Sequence, residues 1–151
     1  MPISAGLLPF RRVDGTIEVL IAHPGGPFFA RKSRGAWSLV KGLIEAGEDP
    51  LVAARREFTE ETGWDCVASD LIDLGQVQLK SGKVVTAWAF ESDFDLETFE
   101  PGTFEMEWQG SKGTFPEIDR VLWTDPDEAR PLLNPAQVPF IDRLIDAIGR
   151  T

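Results

Sequence analysis

The clearest helix signal in the chain lies in the segment Gly42-Leu-Ile-Glu-Ala-Gly-Glu48-Asp-Pro-Leu-Val-Ala-Ala-Arg-Arg56-Glu57-Phe58-Thr-Glu60-Glu61-Thr-Gly63-Trp64. Asp49 is a good N-cap, Pro50 suits a first helical turn, and Gly63 favours a C-terminal stop. With about 100° of rotation per residue, one side of this helix carries a mostly apolar row that we expect to face the core. That row consists of Leu51, Ala54, Phe58 and Thr62. The segment therefore predicts a helix from Asp49 to Thr62.

Three glutamates lie beside the apolar row, Glu57, Glu60 and Glu61, at spacings i, i+3 and i+4. Like charges at such spacings weaken a helix by roughly a few tenths of a kcal/mol per pair, and the helix dipole disfavours negative charge at this C-terminal end. A hard divalent cation reverses both effects, because Mg²⁺ prefers carboxylate and phosphate oxygens. An isolated cluster of this kind is more typical of a solvated acidic face, so the surrounding residues decide between the two interpretations.

The surrounding residues match the pattern G-x5-E-x7-R-E-U-x-E-E-x-G-U, where U is a bulky apolar residue. All seven fixed positions and both apolar positions agree between Gly42 and Trp64. An accidental match in a chain of this length has a probability on the order of one in a million. The segment thus resembles the Nudix box, and the order of the flanking strands also resembles the Nudix fold.

The resemblance implies a divalent-metal-dependent hydrolase that cleaves a phosphoanhydride bond in a nucleoside diphosphate derivative. It implies Mg²⁺ or Mn²⁺ held by the glutamates of the helix and by one backbone carbonyl, a set that comprises Glu57, Glu60, Glu61 and Gly42. Glu48 and Arg56 would form an ion pair that aims these carboxylates. Phe58 and Trp64 would pack, and the proton of the attacking water would go to Glu57 or to a carboxylate outside the box.

Glu117 is the first candidate for that outside carboxylate, because Phe115–Trp123 resembles the segment that precedes the late helix of the family. Glu105 and Glu107 are its rivals. Each of the three is equally compatible with an ordinary exposed glutamate, so the sequence leaves the choice open.

The segment Trp37-Ser-Leu-Val-Lys41-Gly42 resembles the W-x-x-P-K-G of Nudix hydrolases that act on diadenosine polyphosphates and diphosphoinositol phosphates. Val40 stands where that pattern has proline. Lys41 is expected to meet a phosphate as a point charge, and Arg31 and Lys32 of a Gly/Pro-rich loop are further phosphate-binding candidates. Trp37 is a candidate for stacking on a base, with buried packing as its alternative.

Strand and helix signals elsewhere predict a single α/β domain over residues 1–151, with a mixed sheet sandwiched between helices. Asp14-Gly15 predicts a hairpin between Ile3–Phe10 and Thr16–His23. The residues predict a short strand over Ala36–Val40, followed by a loop over Lys41–Glu48. Further strands are expected in Val67–Lys80, Lys83–Phe94 and Ile118–Trp123 and around Phe104–Trp108, with helices after Asp125 and across Phe140–Ile148.

Composition limits the possible partners and locations. The formal net charge is -10, which argues against nucleic acid as a partner. Charge is nevertheless segregated, since residues 1–41 carry a local balance of +4. No apolar run is long enough to span a bilayer, and Cys66 is the only cysteine, which excludes an internal disulfide. We expect a cytoplasmic monomer or homodimer without a membrane partner.

The expected partner is a small-molecule nucleotide or polyphosphate, with dinucleoside polyphosphates or nucleoside triphosphates preferred over nucleotide sugars. The alternative hypothesis is a Nudix-like binding module that senses a nucleotide without cleaving it. The intact set of glutamates counts against a sensor, which does not need every catalytic carboxylate.

Overall fold

A computed structural model describes residues 3–149 of the chain. In this range the strands are β1 Ile3–Val13, β2 Thr16–Pro24, β3 Val40–Leu43, β4 Ile72–Gln78, β5 Val84–Glu91, β6 Thr103–Trp108, β7 Ser111–Pro116 and β8 Ile118–Thr124. The α-helices are α1 Pro50–Thr62, α2 Pro126–Leu132 and α3 Val138–Ile148, and short 3-10 turns occupy Leu96–Thr98 and Pro135–Gln137. None of the helices in this range is long and apolar enough to cross a membrane.

The main sheet is mixed, with strand order β4-β5-β1-β2-β8 and with β3 paired to β1. β1 runs parallel to β5 and antiparallel to both β2 and β3. The end of β1 from Phe10 to Val13 pairs with β2, whereas its start from Ser4 to Leu7 pairs with β3. A bridge between Ala22 and Ser38 connects β2 to the residues just before β3. The chain around Lys41 is thereby fixed in the middle of the sheet.

Helices cover both faces of the sheet, which confirms the predicted sandwich. Successive side chains of β1 alternate between the two faces, so Leu7 packs in the core cluster that contains Phe58 of α1. Its neighbour Leu8 packs in the other cluster, with Phe140 of α3. The acidic helix α1 therefore lies alone on one face, while α2 and α3 cover the opposite face.

The ends of α1 follow the predicted signals. Asp49 accepts hydrogen bonds from the backbone nitrogens of Leu51 and Val52 at 3.0 and 3.2 Å. Gly63 ends the helix in the left-handed region, with φ of 78°, a conformation that glycine adopts without steric cost. The predicted buried residues Ala54, Phe58 and Thr62 are buried, whereas Leu51 is half-buried and Ala53 is buried in addition.

The predicted strand over Ala36–Val40 and loop over Lys41–Glu48 are misplaced. The strand is Val40–Leu43, and its pairing with β1 continues through a hydrogen bond of 3.0 Å from Ile44 N to the Ile3 carbonyl. Glycines favoured a loop in the sequence, but pairing with a central strand overrides that local preference. The strand predicted from Val67 begins only at Ile72. Val67 itself is 89% exposed, so its apolar side chain does not mark a buried strand. The sequence did not predict β7.

Candidate active site

Arg56 of α1 forms ion pairs with two neighbouring carboxylates on the same helix. Its Nη1 lies 3.0 Å from Glu57 Oε1 and 3.1 Å from Glu60 Oε2 and donates to both. Two of the three predicted glutamates therefore lie within reach of one guanidinium nitrogen, as the helical spacing predicted.

The other edge of the Arg56 guanidinium binds Glu48, in the loop before the helix. Nε and Nη2 donate to the two oxygens of Glu48 at 2.7 and 2.9 Å, a two-pronged geometry that orients both groups. Arg56 and the backbone nitrogen of Glu45 together lower the pKa of Glu48 to about 2. Arg56 Nη2 also donates to the Leu43 carbonyl at 3.2 Å. The predicted ion pair is confirmed, and it ties the end of β3 and the following loop to α1.

Gly42 of β3 is in direct contact with Glu57. A β-carbon at position 42 would overlap the Glu57 carboxylate, so only glycine leaves room for that side chain. Burial raises the pKa of Glu57, while the hydrogen bond from Arg56 acts in the opposite direction. The Gly42 backbone and the Glu57 carboxylate thus lie against each other, and a metal-binding role of the Gly42 carbonyl stays a prediction.

Glu61 is the most strongly perturbed acid of the cluster. Burial, followed by the charges of Glu57 and Glu117, raises its pKa to about 8. Its Oε2 is buried and has no hydrogen-bond partner. A buried carboxylate oxygen without a donor costs free energy unless a proton or a cation meets it.

Lys41, Glu61 and Glu117 line a common small pocket, together with Ala22, Pro24, Ser38, Leu39 and Ile118. The three ionisable side chains come from β3, from α1 and from the junction of β7 and β8. Burial lowers the pKa of Lys41, as does the charge of Lys83, and Glu61 and Glu57 oppose them. The predicted phosphate-binding lysine and two candidate acids therefore share one site.

Glu117 is placed in that site by its backbone. Its nitrogen donates to the Gly102 carbonyl at 2.8 Å, and its carbonyl accepts from Gly25 N at 3.0 Å. The side chain is exposed at the pocket. Its rivals Glu105 and Glu107 lie on the exposed hairpin β6–β7, where Glu105 pairs with Lys112 at 3.1 Å. Of the three glutamates, only Glu117, the first candidate from the sequence, lines this pocket.

The three remaining substrate-binding candidates are not among the residues that line the pocket of Lys41, Glu61 and Glu117. Trp37 is only 5% exposed and belongs to the core cluster on the α3 face; the Arg120 guanidinium lies 5.3 Å from the centre of its ring. Lys32 is exposed and holds its ammonium 3.8 Å from the ring centre of Phe28. Arg31 is exposed in the same loop. Trp37 is therefore a packing residue of the core, whereas the side chains of Arg31 and Lys32 are exposed to solvent.

The donor set suits a hard divalent cation. Within residues 3–149, no three acidic, histidine or cysteine side chains already converge as a metal-binding group, and Arg56 engages Glu57 and Glu60. The buried, unpaired Glu61 Oε2, and the pKa of Glu61 raised by burial and then by the charges of Glu57 and Glu117, nevertheless favour the binding of a positive charge at this point. Carboxylate and carbonyl oxygens are the ligands that Mg²⁺ and Mn²⁺ prefer.

The geometry agrees with a comparison to known protein families. The NUDIX domain model matches residues 2–144. The chain belongs to the Nudix family. Members of this family generally use divalent metal ions, consistent with the oxygen-rich donor set of this Nudix protein.

Individual relatives add detail. The chain is 47% identical over 64 residues to an RNA pyrophosphohydrolase of Rhodospirillum rubrum, a match that spans 41% of this chain and 38% of that protein. It is 36% identical over 108 residues to the asymmetrical bis(5'-nucleosyl)-tetraphosphatase of Rattus norvegicus, over 62% and 68% of the two chains. A C. elegans Ap4A hydrolase structure has the same fold, with a TM-score of 0.68, 20% identity and 98% coverage of both chains.

One part of the site was not predicted from the Nudix sequence pattern. Gln137, just before α3, is 1% exposed. Its Oε1 accepts from Leu39 N at 2.9 Å, and its Nε2 donates to Ser38 Oγ at 3.1 Å. These bonds fix two lining residues of the pocket just ahead of Lys41. A lone glutamine almost a hundred positions away carries no sequence signal for such a role.

Proposed function

We propose that this Nudix protein is a divalent-metal-dependent hydrolase of a phosphoanhydride bond in a nucleoside diphosphate derivative. The observation that carries the proposal is the unpaired, buried Oε2 of Glu61 in a pocket shared with Lys41 and Glu117. A largely buried acid whose pKa is raised, in one cleft with a half-buried lysine, is a candidate for a functional site.

The proposed cofactor is Mg²⁺, with Mn²⁺ as an alternative, and its proposed ligands are Glu57, Glu60, Glu61 and the Gly42 carbonyl. When bound, such an ion neutralises charge on phosphate oxygens and lowers the pKa of a bound water. Arg56 is proposed to hold Glu57 and Glu60 in position, since it donates to both at 3.0 and 3.1 Å. Glu48 in turn orients Arg56.

The chain's own groups have distinct proposed tasks. Lys41 binds a phosphate oxygen of the substrate through its ammonium, because this half-buried side chain lines the pocket and its burial lowers its pKa. Glu117 takes the proton of the attacking water while the water oxygen bonds to phosphorus and the bridging oxygen departs with the leaving phosphate. We favour Glu117 over Glu57 as the base, because Glu57 is engaged by Arg56 and Glu117 is exposed at the pocket.

The proposed substrates are dinucleoside polyphosphates or nucleoside triphosphates. The likeness to the rat bis(5'-nucleosyl)-tetraphosphatase supports this class. The likeness to an RNA pyrophosphohydrolase makes the triphosphorylated 5' end of RNA a second candidate. The net charge of -10 disfavours an RNA chain, because it opposes a polyanion at long range.

The test is turnover of a substrate panel by the purified protein in Mg²⁺, with EDTA as the metal-free control. The panel contains diadenosine tetraphosphate, ATP, a nucleotide sugar and 5'-triphosphorylated RNA, and the products are separated by chromatography. We expect hydrolysis of the first two compounds and its loss in a folded Glu60→Gln variant. Tight nucleotide binding without any turnover would instead support the sensor hypothesis.

A further inference from the structure

His23, the only histidine of the chain, is completely buried at the end of β2. Its Nδ1 lies 2.7 Å from Asp119 Oδ1 on β8, and its Nε2 contacts the Lys32 carbonyl oxygen. The edge of its ring packs against Trp37, with 5.2 Å between the ring centres. Each polar atom of this imidazole therefore has a partner from a different segment.

Both partners of the ring are hydrogen-bond acceptors, a carboxylate on β8 and a backbone carbonyl in the loop. The imidazole between them therefore links two segments whose own polar atoms cannot bond to each other. Asp119 also faces Arg120 Nε at 3.5 Å. Asp119, Arg120 and Lys32 are the charged residues that approach His23 or its partners through these contacts.

The two segments that His23 joins both border the candidate active site. Asp119 follows Glu117 by two residues, and the pairing of β2 with β8 shifts register next to His23. Lys32 lies in the loop of residues 25–36, which begins with a hydrogen bond of 3.0 Å from Gly25 N to the Glu117 carbonyl. The loop is thus bound beside Glu117 at its start and by His23 further along.

We propose that His23 is a positioning residue that, through its two ring nitrogens, locks the loop of residues 25–36 against β8 beside Glu117. The locked loop presents its cations, Arg31, Lys32 and Arg34, to the polyphosphate of the substrate. The kinetic part of this inference rests on the proposed function. The structural part, the lock itself, does not.

Proteolysis tests the lock without any assay of activity. Trypsin cleaves after lysine and arginine, and the Lys32 carbonyl that His23 holds belongs to such a bond. A glutamine at position 23 can place an amide near the Nε2 position, whereas an asparagine reaches only the Nδ1 position. We expect trypsin to cut after Lys32 about tenfold faster in His23→Asn than in the wild type, because local opening becomes easier, and His23→Gln to lie between them. Equal cleavage rates, after correction for global stability by urea unfolding, would overturn the lock.

The contacts of the ring can also be tested in the unmodified protein, which protects the test against variants that fail to fold. One histidine gives one set of imidazole signals in a ¹⁵N NMR spectrum of the untagged chain. We expect a ring N–H hydrogen that exchanges slowly with solvent, because the imidazole is buried between two hydrogen-bond acceptors, and rapid exchange of that hydrogen would overturn the lock.

Kinetics then separates positioning from a purely structural role. With the substrate identified by the panel, His23→Asn should raise KM severalfold with little change in kcat, and His23→Gln should raise it less. An unchanged KM in a variant with a released loop would show that the loop does not position substrate. Absence of turnover in the wild type would refute the proposed function but leave the proteolysis and NMR results intact.

Discussion

The carboxylate of Glu57 lies against the Cα of Gly42, in the space that a β-carbon at position 42 would fill. This contact joins β3 to α1. Gly42 is itself a candidate metal ligand, and it directly follows Lys41, the candidate phosphate-binding residue. The strand and the helix can approach this closely because Gly42 has no side chain. The hydrogen bond from Arg56 to the Leu43 carbonyl also connects them.

Gly42→Ala should therefore inactivate the protein while leaving it folded. The added methyl group must displace Glu57, and a displacement of about 1 Å in a reacting constellation costs about 100-fold in rate. Turnover of diadenosine tetraphosphate, Mg²⁺ affinity and the circular dichroism spectrum would be measured together. Wild-type kcat and Mg²⁺ affinity in the folded variant would contradict the proposed role of this contact.

Glu61→Gln should remove a pH-dependent loss of stability from the metal-free protein. The folded-state pKa of Glu61, about 8, lies above the ordinary value of 4.5, so between these pH values the folded state binds a proton that the unfolded state has lost. Wild-type stability should fall relative to the variant as pH rises from about 4.5 to about 8. Urea unfolding in EDTA across this range measures the difference. Parallel pH profiles would contradict the prediction, and added Mg²⁺ should restore wild-type stability at pH 8.

Glu48→Gln should have the opposite pH signature. Arg56 lowers the folded-state pKa of Glu48 to about 2, from the ordinary value of 4.5. Its contribution to stability is therefore fully present above about pH 4.5 and is lost as pH falls toward 2. The difference in Tm between wild type and variant should shrink over that interval. Glu45→Gln, an exposed change in the same loop, is the control, and an equal effect there would argue against a specific ion pair.

Glu117→Gln should lower kcat with little effect on folding. Removing a general base costs roughly 100- to 10,000-fold in rate, and Glu117 is exposed, so its amide is readily accommodated. Glu105→Gln is the matched control, because it changes an equally exposed glutamate on the hairpin β6–β7. If Glu117→Gln keeps full activity while Glu57→Gln loses it, the base belongs to the box instead.

Trp37 should prove to be a packing residue. Trp37→Ala is expected to lower the free energy of unfolding by about 3–5 kcal/mol, as for other large aromatic truncations in a core. Trp37→Phe preserves most of the apolar volume and should leave the KM for nucleotide unchanged. A marked rise of KM in a stable Trp37→Phe variant would restore the stacking role that the sequence suggested.

Local signals predicted α1 well. Its cap at Asp49, its stop at Gly63 and the ion pair of Glu48 with Arg56 all depend on residues close in sequence, so the backbone geometry of one helix determines them. The boundaries of β3 were harder to predict from the sequence, because its pairing partner is β1, more than thirty residues earlier. β7 was missed because its exposed, polar residues lack the alternation that marks a half-buried strand.

By itself the sequence determined the family, the acidic helix and the candidate metal ligands, because these follow from spacings within 23 residues. Only the tertiary structure showed that Glu117 lines the pocket with Glu61 and Lys41, that Trp37 is buried, and that His23 connects Lys32 to Asp119. These outcomes depend on contacts between distant segments, which form when apolar surfaces are buried on both faces of the sheet. The position of each polar side chain at the site is a consequence of that packing.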